Sequence, residues 1–99
     1  MQLGNTLVRQ NRLSDAIATY QTALQFHPEN FEIHLELAKT LEKDQKSDEA
    51  IAFYRCAIEL NPDYSWLHKH LGDILAERGQ INEASASYRH ALQLQPRIL

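Results

Sequence analysis

A spacing of 34 residues recurs three times along this 99-residue chain. Leu3, Leu37 and Leu71 keep it, as do Leu7, Leu41 and Leu75; Ala16, Ala50 and Ala84; Tyr20, Tyr54 and Tyr88; Ala23, Ala57 and Ala91; and Pro28, Pro62 and Pro96. Residue types held in register this way mean that one short unit was copied. A unit of that length cannot bury its apolar face alone, so each copy must cover the next. Such a chain is constrained to a stack, and stacks make surfaces rather than reaction centres.

The pattern inside each unit is helical. Counting places so that the recurrent Pro is place 32, the second copy runs over 31–64, the third over 65–98, and the first, over 1–30, enters at place five. In the second copy Ile33, Leu37, Ala38 and Leu41 recur at helical spacing, Asp44-Gln45-Lys46-Ser47 interrupts them, and Ala50, Ile51, Tyr54, Ala57 and Ile58 resume. The interruption recurs as Gln10-Asn11-Arg12 and Arg78-Gly79-Gln80. Two helices per unit follow, about six in all. Ser14, Asp48 and Asn82 are the expected N-caps of the second helices, with Asn30 and Asp63 placed to start first helices. Asn11 and Gly79 suit a left-handed turn residue, Gln45 less so. Pro28, Pro62 and Pro96 cannot continue a helix and close each second one.

Small residues stand at place 8 (Gly4, Ala38, Gly72), place 20 (Ala16, Ala50, Ala84) and place 27 (Ala23, Ala57, Ala91), with the large Tyr20, Tyr54 and Tyr88 between the last two. Alternation of small and large lets helix backbones approach and fills the remaining gap. Helices of about 12 to 14 residues are marginal alone, so this packing has to hold them.

A 34-residue helix-turn-helix unit carrying Leu-Gly, then Ala, an aromatic, Ala and Pro at these offsets resembles the tetratricopeptide repeat, over the whole chain. Leu3-Gly4, Leu37-Ala38 and Leu71-Gly72 match the Leu-Gly pair, with one permitted Ala. The chain departs from the family where His34 and His68 replace an aromatic early in the first helix, and where Leu7, Leu41 and Leu75 replace a later Tyr. The resemblance implies an all-α, right-handed solenoid of antiparallel helix pairs, and a concave groove lined by the first helices that binds a protein partner, as a peptide or a helix.

Which residues would line that groove follows from helical geometry. At about 100° per residue, places 4, 7, 8 and 11 of the first helix share one side, and places 2, 5, 6, 9, 12 and 13 lie away from it. The expected groove residues are Asn5 and Arg9 with Val8 from the first copy; Leu35, Glu36 and Lys39 with Glu32, Glu42 and Lys43 from the second; and Trp66, Lys69, His70 and Asp73 with Glu77 from the third. An exposed Trp and Leu among mixed charges suit an extended peptide with one or two apolar anchors, although Trp66 could equally cover the joint with the preceding unit. Glu36 and Lys39 are spaced to pair locally. A tetratricopeptide subclass grips chaperone C-terminal carboxylates with Lys, Asn, Asn, Lys and Arg. The corresponding places here hold Met1, Asn5, Glu36, Trp66 and His70; only Asn5 matches and Glu36 repels a carboxylate, so such a clamp is not expected.

Other function classes have little to stand on. The formal charge of −3 and the lack of a Lys/Arg run disfavour nucleic acid as a partner. No apolar stretch approaches the roughly 20 residues of a membrane span, and Met1-Gln2-Leu3-Gly4 lacks a signal peptide's parts, so the expectation is a cytoplasmic chain that does not engage membrane. His68 and His70 point to nearly opposite sides of a helix and cannot share a metal; His34 and His68 read as packed imidazoles, and Cys56 as a bystander. No phosphate loop, zinc signature or metalloprotease motif occurs, so no catalysis, metal or cofactor is expected. The alternative function is structural. With the last copy followed by Leu99 alone, Tyr88, Ala91 and Leu92 are expected to present an uncovered C-terminal face, extended by Ile98 and Leu99, through which the chain self-associates or continues an array.

Overall fold

The computed structural model describes residues 2–94. Met1, Pro96, Ile98 and Leu99, which figure in the sequence reading, lie outside them. Among the described residues the chain is all-α: α1 (Gln2–Arg9), α2 (Leu13–Phe26), α3 (Phe31–Lys43), α4 (Ser47–Leu60), α5 (Ser65–Glu77) and α6 (Ile81–Leu94). They fall into two compact units, one reaching Leu60 and the other starting at Asn61. In the first unit α1 packs on α2, α2 on α3 and α3 on α4; in the second, α5 packs on α6.

The three short turns share one hydrogen-bond scheme. Asn11, Gln45 and Gly79 adopt φ of 59°, 60° and 79°. Their N–H groups donate to Val8, Glu42 and Ala76, while Arg12, Lys46 and Gln80 donate to Leu7, Leu41 and Leu75. One left-handed residue flanked by these two bonds is the Schellman way of ending a helix: it satisfies carbonyls that would otherwise be orphaned and reverses the chain in three residues. Gln45 takes this conformation despite its Cβ, a strain that Gly79 avoids.

The helix starts differ from the sequence expectation. The carbonyls of Arg12, Lys46 and Gln80 accept the first bonds of α2, α4 and α6, from Ala16, Ala50 and Ala84. The cap position therefore lies two residues before Ser14, Asp48 and Asn82, which sit within the first turn rather than at the cap. The Schellman turn causes this, because its closing residue is also the next helix's first acceptor. Asn30 does cap α3, its side chain accepting from the Ile33 N–H at 3.1 Å. Asp63 does not cap α5; Tyr64 stands there and makes no side-chain cap bond. Pro28 and Pro62 follow the ends of α2 and α4, as expected.

The small and large places form most of the core, with Ala23 and Tyr88 only half-buried. Ala16, Tyr20, Leu37, Ala38, Ala50, Tyr54 and Ala57 are fully buried in the first unit, as is Leu67 in the second, where Leu71, Leu75, Ala84 and Ala91 are nearly so. Gly72 is buried as well. His34 and His68 are buried, and each Nε2–H donates to the carbonyl six residues back, Pro28 at 2.8 Å and Pro62 at 2.9 Å. Each imidazole thereby ties the turn before its helix to the helix itself, and a carbonyl acceptor sets which nitrogen carries the proton. The ring of His68 also stacks on that of His90, at 5.4 Å between centroids. Leu3 departs from the pattern: it is 62% exposed where Leu37 is fully covered. The reason is position, since α3 is packed between α2 and α4, whereas the packing of α1 is on α2.

Candidate functional site

The outward faces of the first helices carry the candidate residues, and each unit has its own. In the first unit Asn5 and Arg9 are exposed on α1, and Glu36 and Lys39 are half-buried on α3. Lys39 Nζ lies 3.8 Å from Glu36 Oε1, the local pair that the spacing suggested. Leu35 does not belong to this surface. It is 7% exposed, and the expectation of an apolar anchor there is corrected. Place 5 sits at the edge of the outward arc, and a helix packed on two sides covers its edge positions.

In the second unit α5 presents Trp66, Lys69, His70 and Asp73. Trp66 is 38% exposed. Its indole stacks on the His70 ring at 4.8 Å between centroids and 9° between planes, with Tyr64 at 5.8 Å. The i, i+4 spacing of Trp66 and His70 brings two flat rings onto adjacent turns of one face. One turn further on, Lys69 Nζ reaches Asp73 Oδ2 at 3.4 Å. Tyr64, one of the three rings of this cluster, was missed in the sequence reading because it precedes the helix and has no place in the helical arc.

The second helices reach into these faces through their tyrosines. Tyr20 Oη donates to Asn5 Oδ1 and Tyr88 Oη to Asp73 Oδ1, both at 2.5 Å, while Tyr54 Oη donates to Glu42 Oε1 at 2.7 Å. Asn5 and Asp73 share place 9, where the second copy has Lys39. The Asp73 carboxyl is held below the usual carboxylate range, first by the Tyr88 hydrogen bond and then by Lys69 and His70. Tyr88 is pushed up in turn by its bond to Asp73. Burial, and secondarily the Glu36 charge, push the Tyr20 phenol up to about 12. Burial and then Glu42 raise that of Tyr54.

On the last helix Tyr88 is half-buried and Leu92 is 69% exposed. Ala91 is 5% exposed, so the expectation that it forms an open face with them is corrected. Its place is one of those where a small residue admits a neighbouring backbone, which here belongs to the α5–α6 pair.

Two profiles of the tetratricopeptide repeat match the chain, one over residues 1–65 and another over 70–98. The chain belongs to the tetratricopeptide repeat family. No curated protein matches it. Among solved structures, an arginine-to-glutamate mutant of MamA superposes with a TM-score of 0.85 at 24% identity, over 96% of this chain and 69% of that one. A second MamA structure gives 0.89 at 21% identity, over 93% of this chain and 54% of the other. The tetratricopeptide domain of P58(IPK) gives 0.86 at 24% identity, over 97% of this chain and 27% of that one. At these identities the likeness is one of fold, and this chain spans about half of the second MamA chain and about a quarter of the P58(IPK) domain. Tetratricopeptide repeats are generally protein–protein interaction modules and typically non-enzymatic scaffolds. Among the described residues no group of three or more His, Cys, Asp or Glu side chains is arranged to hold a metal ion, and no helix is long and apolar enough to cross a membrane.

Proposed function

We propose that the chain, read as tetratricopeptide repeats over 1–30, 31–64 and 65–98, binds an extended peptide or a partner helix on the outward faces of its first helices: Asn5, Arg9, Glu36 and Lys39 in one unit, and Trp66, Lys69, His70 and Asp73 in the other. The observation that carries this reading is the surface of α5. Trp66 keeps over a third of its area in water, held by stacking on His70 and flanked by the Lys69–Asp73 pair. A rigid aromatic amid polar groups that are already oriented is the composition of an interaction hot spot, since it offers large contact area at little entropy cost. The function is binding, with no chemical step.

Trp66 is the only tryptophan, so the chain carries its own reporter. Peptides drawn from a random array should give saturable changes in its emission, and Trp66→Ala or Lys39→Ala should weaken the peptides that score. An array without hits would sink the proposal. A second reading, association through end faces, is favoured by one further observation: Leu3, Ile81 and Leu92 are 62%, 59% and 69% exposed. Sedimentation distinguishes the two, because a mass that rises with concentration while the array stays silent supports end-to-end contact.

A further inference from the structure

Gly72 and Gly4 make room for something specific. A Cβ built on Gly72 would lie 2.9, 3.0 and 3.1 Å from three ring atoms of Tyr88. On Gly4 it would lie 2.6 and 2.7 Å from Tyr20 Cε1 and Cζ. In both cases the tyrosine ring lies directly over the backbone of place 8, and its hydroxyl lands on the side chain of the next residue, Asp73 or Asn5. The second copy differs at the acceptor as well as at place 8. There place 8 is Ala38, place 9 is Lys39, whose ammonium cannot accept a hydrogen bond, and the hydroxyl of Tyr54 goes one turn along to Glu42.

We infer that Gly72 and Tyr88 form a positioning pair that fixes Asp73 in one orientation on the α5 face, and that Gly4 and Tyr20 do the same for Asn5 on α1. The inference rests on the proposed function only in taking Asn5 and Asp73 as part of the recognition surface. Geometry explains the coupling. Without a Cβ beneath it, the ring sits close over the backbone of place 8 and Oη meets the acceptor at place 9; where place 9 is Lys39, the acceptor is Glu42 at place 12. Val8 and Ala76 hold place 12 in the first and third copies, and neither side chain can accept a hydrogen bond. In those copies the acceptor therefore stands at place 9, beside the glycine over which the ring lies.

The consequence is a prearranged acceptor. Tyr88 occupies Oδ1 of Asp73 and Lys69 reaches Oδ2, while a carboxylate has about four acceptor sites, so capacity remains for an N–H or guanidinium donor of a partner. A side chain already locked spares the entropy of ordering it on binding. The lowered titration of Asp73 agrees with a carboxylate that accepts a phenolic donor.

The test reads Asp73 directly, by carbon-detected NMR titration of its carboxyl and by its Hα–Hβ couplings, in the parent and in Tyr88→Phe. The variant keeps the ring and its packing and loses only the hydroxyl. The expected result is a single rotamer in the parent, rotamer-averaged couplings in the variant, and a titration midpoint that moves up toward the ordinary carboxylate value. Unchanged couplings and midpoint would overturn the inference. Gly72→Ala should reproduce the effect of Tyr88→Phe on Asp73; an Asp73 that stays locked in the folded Gly72→Ala protein also overturns it. With a peptide that binds the parent, Tyr88→Phe should weaken affinity roughly 3- to 30-fold, and by much less in an Asp73→Ala background. Equal loss in both backgrounds would show that Tyr88 acts by another route. If Asp73 responds as expected but no peptide binds the parent, the proposed function fails and the positioning pair stands.

Discussion

Gly4→Ala isolates the close approach on which the fold depends. Alanine favours a helix interior over glycine by about 0.8–1 kcal/mol, so propensity alone makes this change stabilising. The structure reverses the sign. The new methyl would stand 2.6 Å from Cε1 of Tyr20, a ring that is fully buried and has nowhere to move. Overpacking a closed core costs about 1–3 kcal/mol. A ring displaced enough to relieve the clash also loses the Asn5 hydrogen bond, worth about 0.5–1.5 kcal/mol net. The expected balance is a destabilisation of about 2 kcal/mol, or a fall of about 8–16 °C in Tm for a domain of this size. Urea unfolding followed by circular dichroism should show the midpoint falling with an unchanged slope. Gly72→Ala is the matched comparison: its methyl meets Tyr88 at 2.9 Å, and that ring is only half-buried, so it can swing toward water and the net cost should be near zero. A Gly4→Ala protein as stable as the parent, or a Gly72→Ala protein hurt more than Gly4→Ala, would refute the reasoning.

Three further outcomes are expected. Tyr54→Ala, which empties a fully buried site, should cost about 3–5 kcal/mol, and Ala50→Leu about 1–3 kcal/mol by overpacking; melts that overlay the parent would contradict the packing described for the first unit. Gln45→Gly should stabilise by about 0.5–1 kcal/mol, because the left-handed conformation at φ 60° strains a residue with a Cβ; chemical denaturation checks the sign, which should be opposite for Gln45→Val. Alkaline pH should unfold the chain through its tyrosines. A phenol whose folded value is raised from 10.0 to about 12 contributes stability that is whole below pH 10 and is lost as pH climbs to 12, so Tm should fall across that window together with the rise in tyrosinate absorbance. In Tyr20→Phe the fall should be shallower.

Much of this was legible in the chain, for a physical reason. A 34-residue repeat with helical periodicity leaves few ways to bury Leu37, Ala38, Leu41, Ala50, Tyr54 and Ala57, and all of them are buried. The turns were legible too, since Asn11 and Gly79 are residues that accept positive φ. Where the reading missed, neighbours rather than local pattern decided. Leu35 lies at the edge of an arc that angles alone place outside, and α3 is covered on two sides. Ser14, Asp48 and Asn82 are good capping residues that lost the role to Arg12, Lys46 and Gln80, because a Schellman turn ends one helix and begins the next with the same residue. Asp63 was one residue away from the position that Tyr64 holds.

The sequence by itself determined the elements, their pairing and the small and large places of the core, because periodicity and side-chain volume act locally and repeat. It also marked α5 as the helix with an aromatic outward face. Only the tertiary structure decided which polar side chains on those faces are held and by what. Asn5, Glu42 and Asp73 each meet a tyrosine hydroxyl from 12 to 15 residues away. That hydroxyl arrives at place 9 where Asn5 or Asp73 stands and at place 12 where Glu42 stands, a pairing made across two helices that no pattern of hydrophobic and polar letters records.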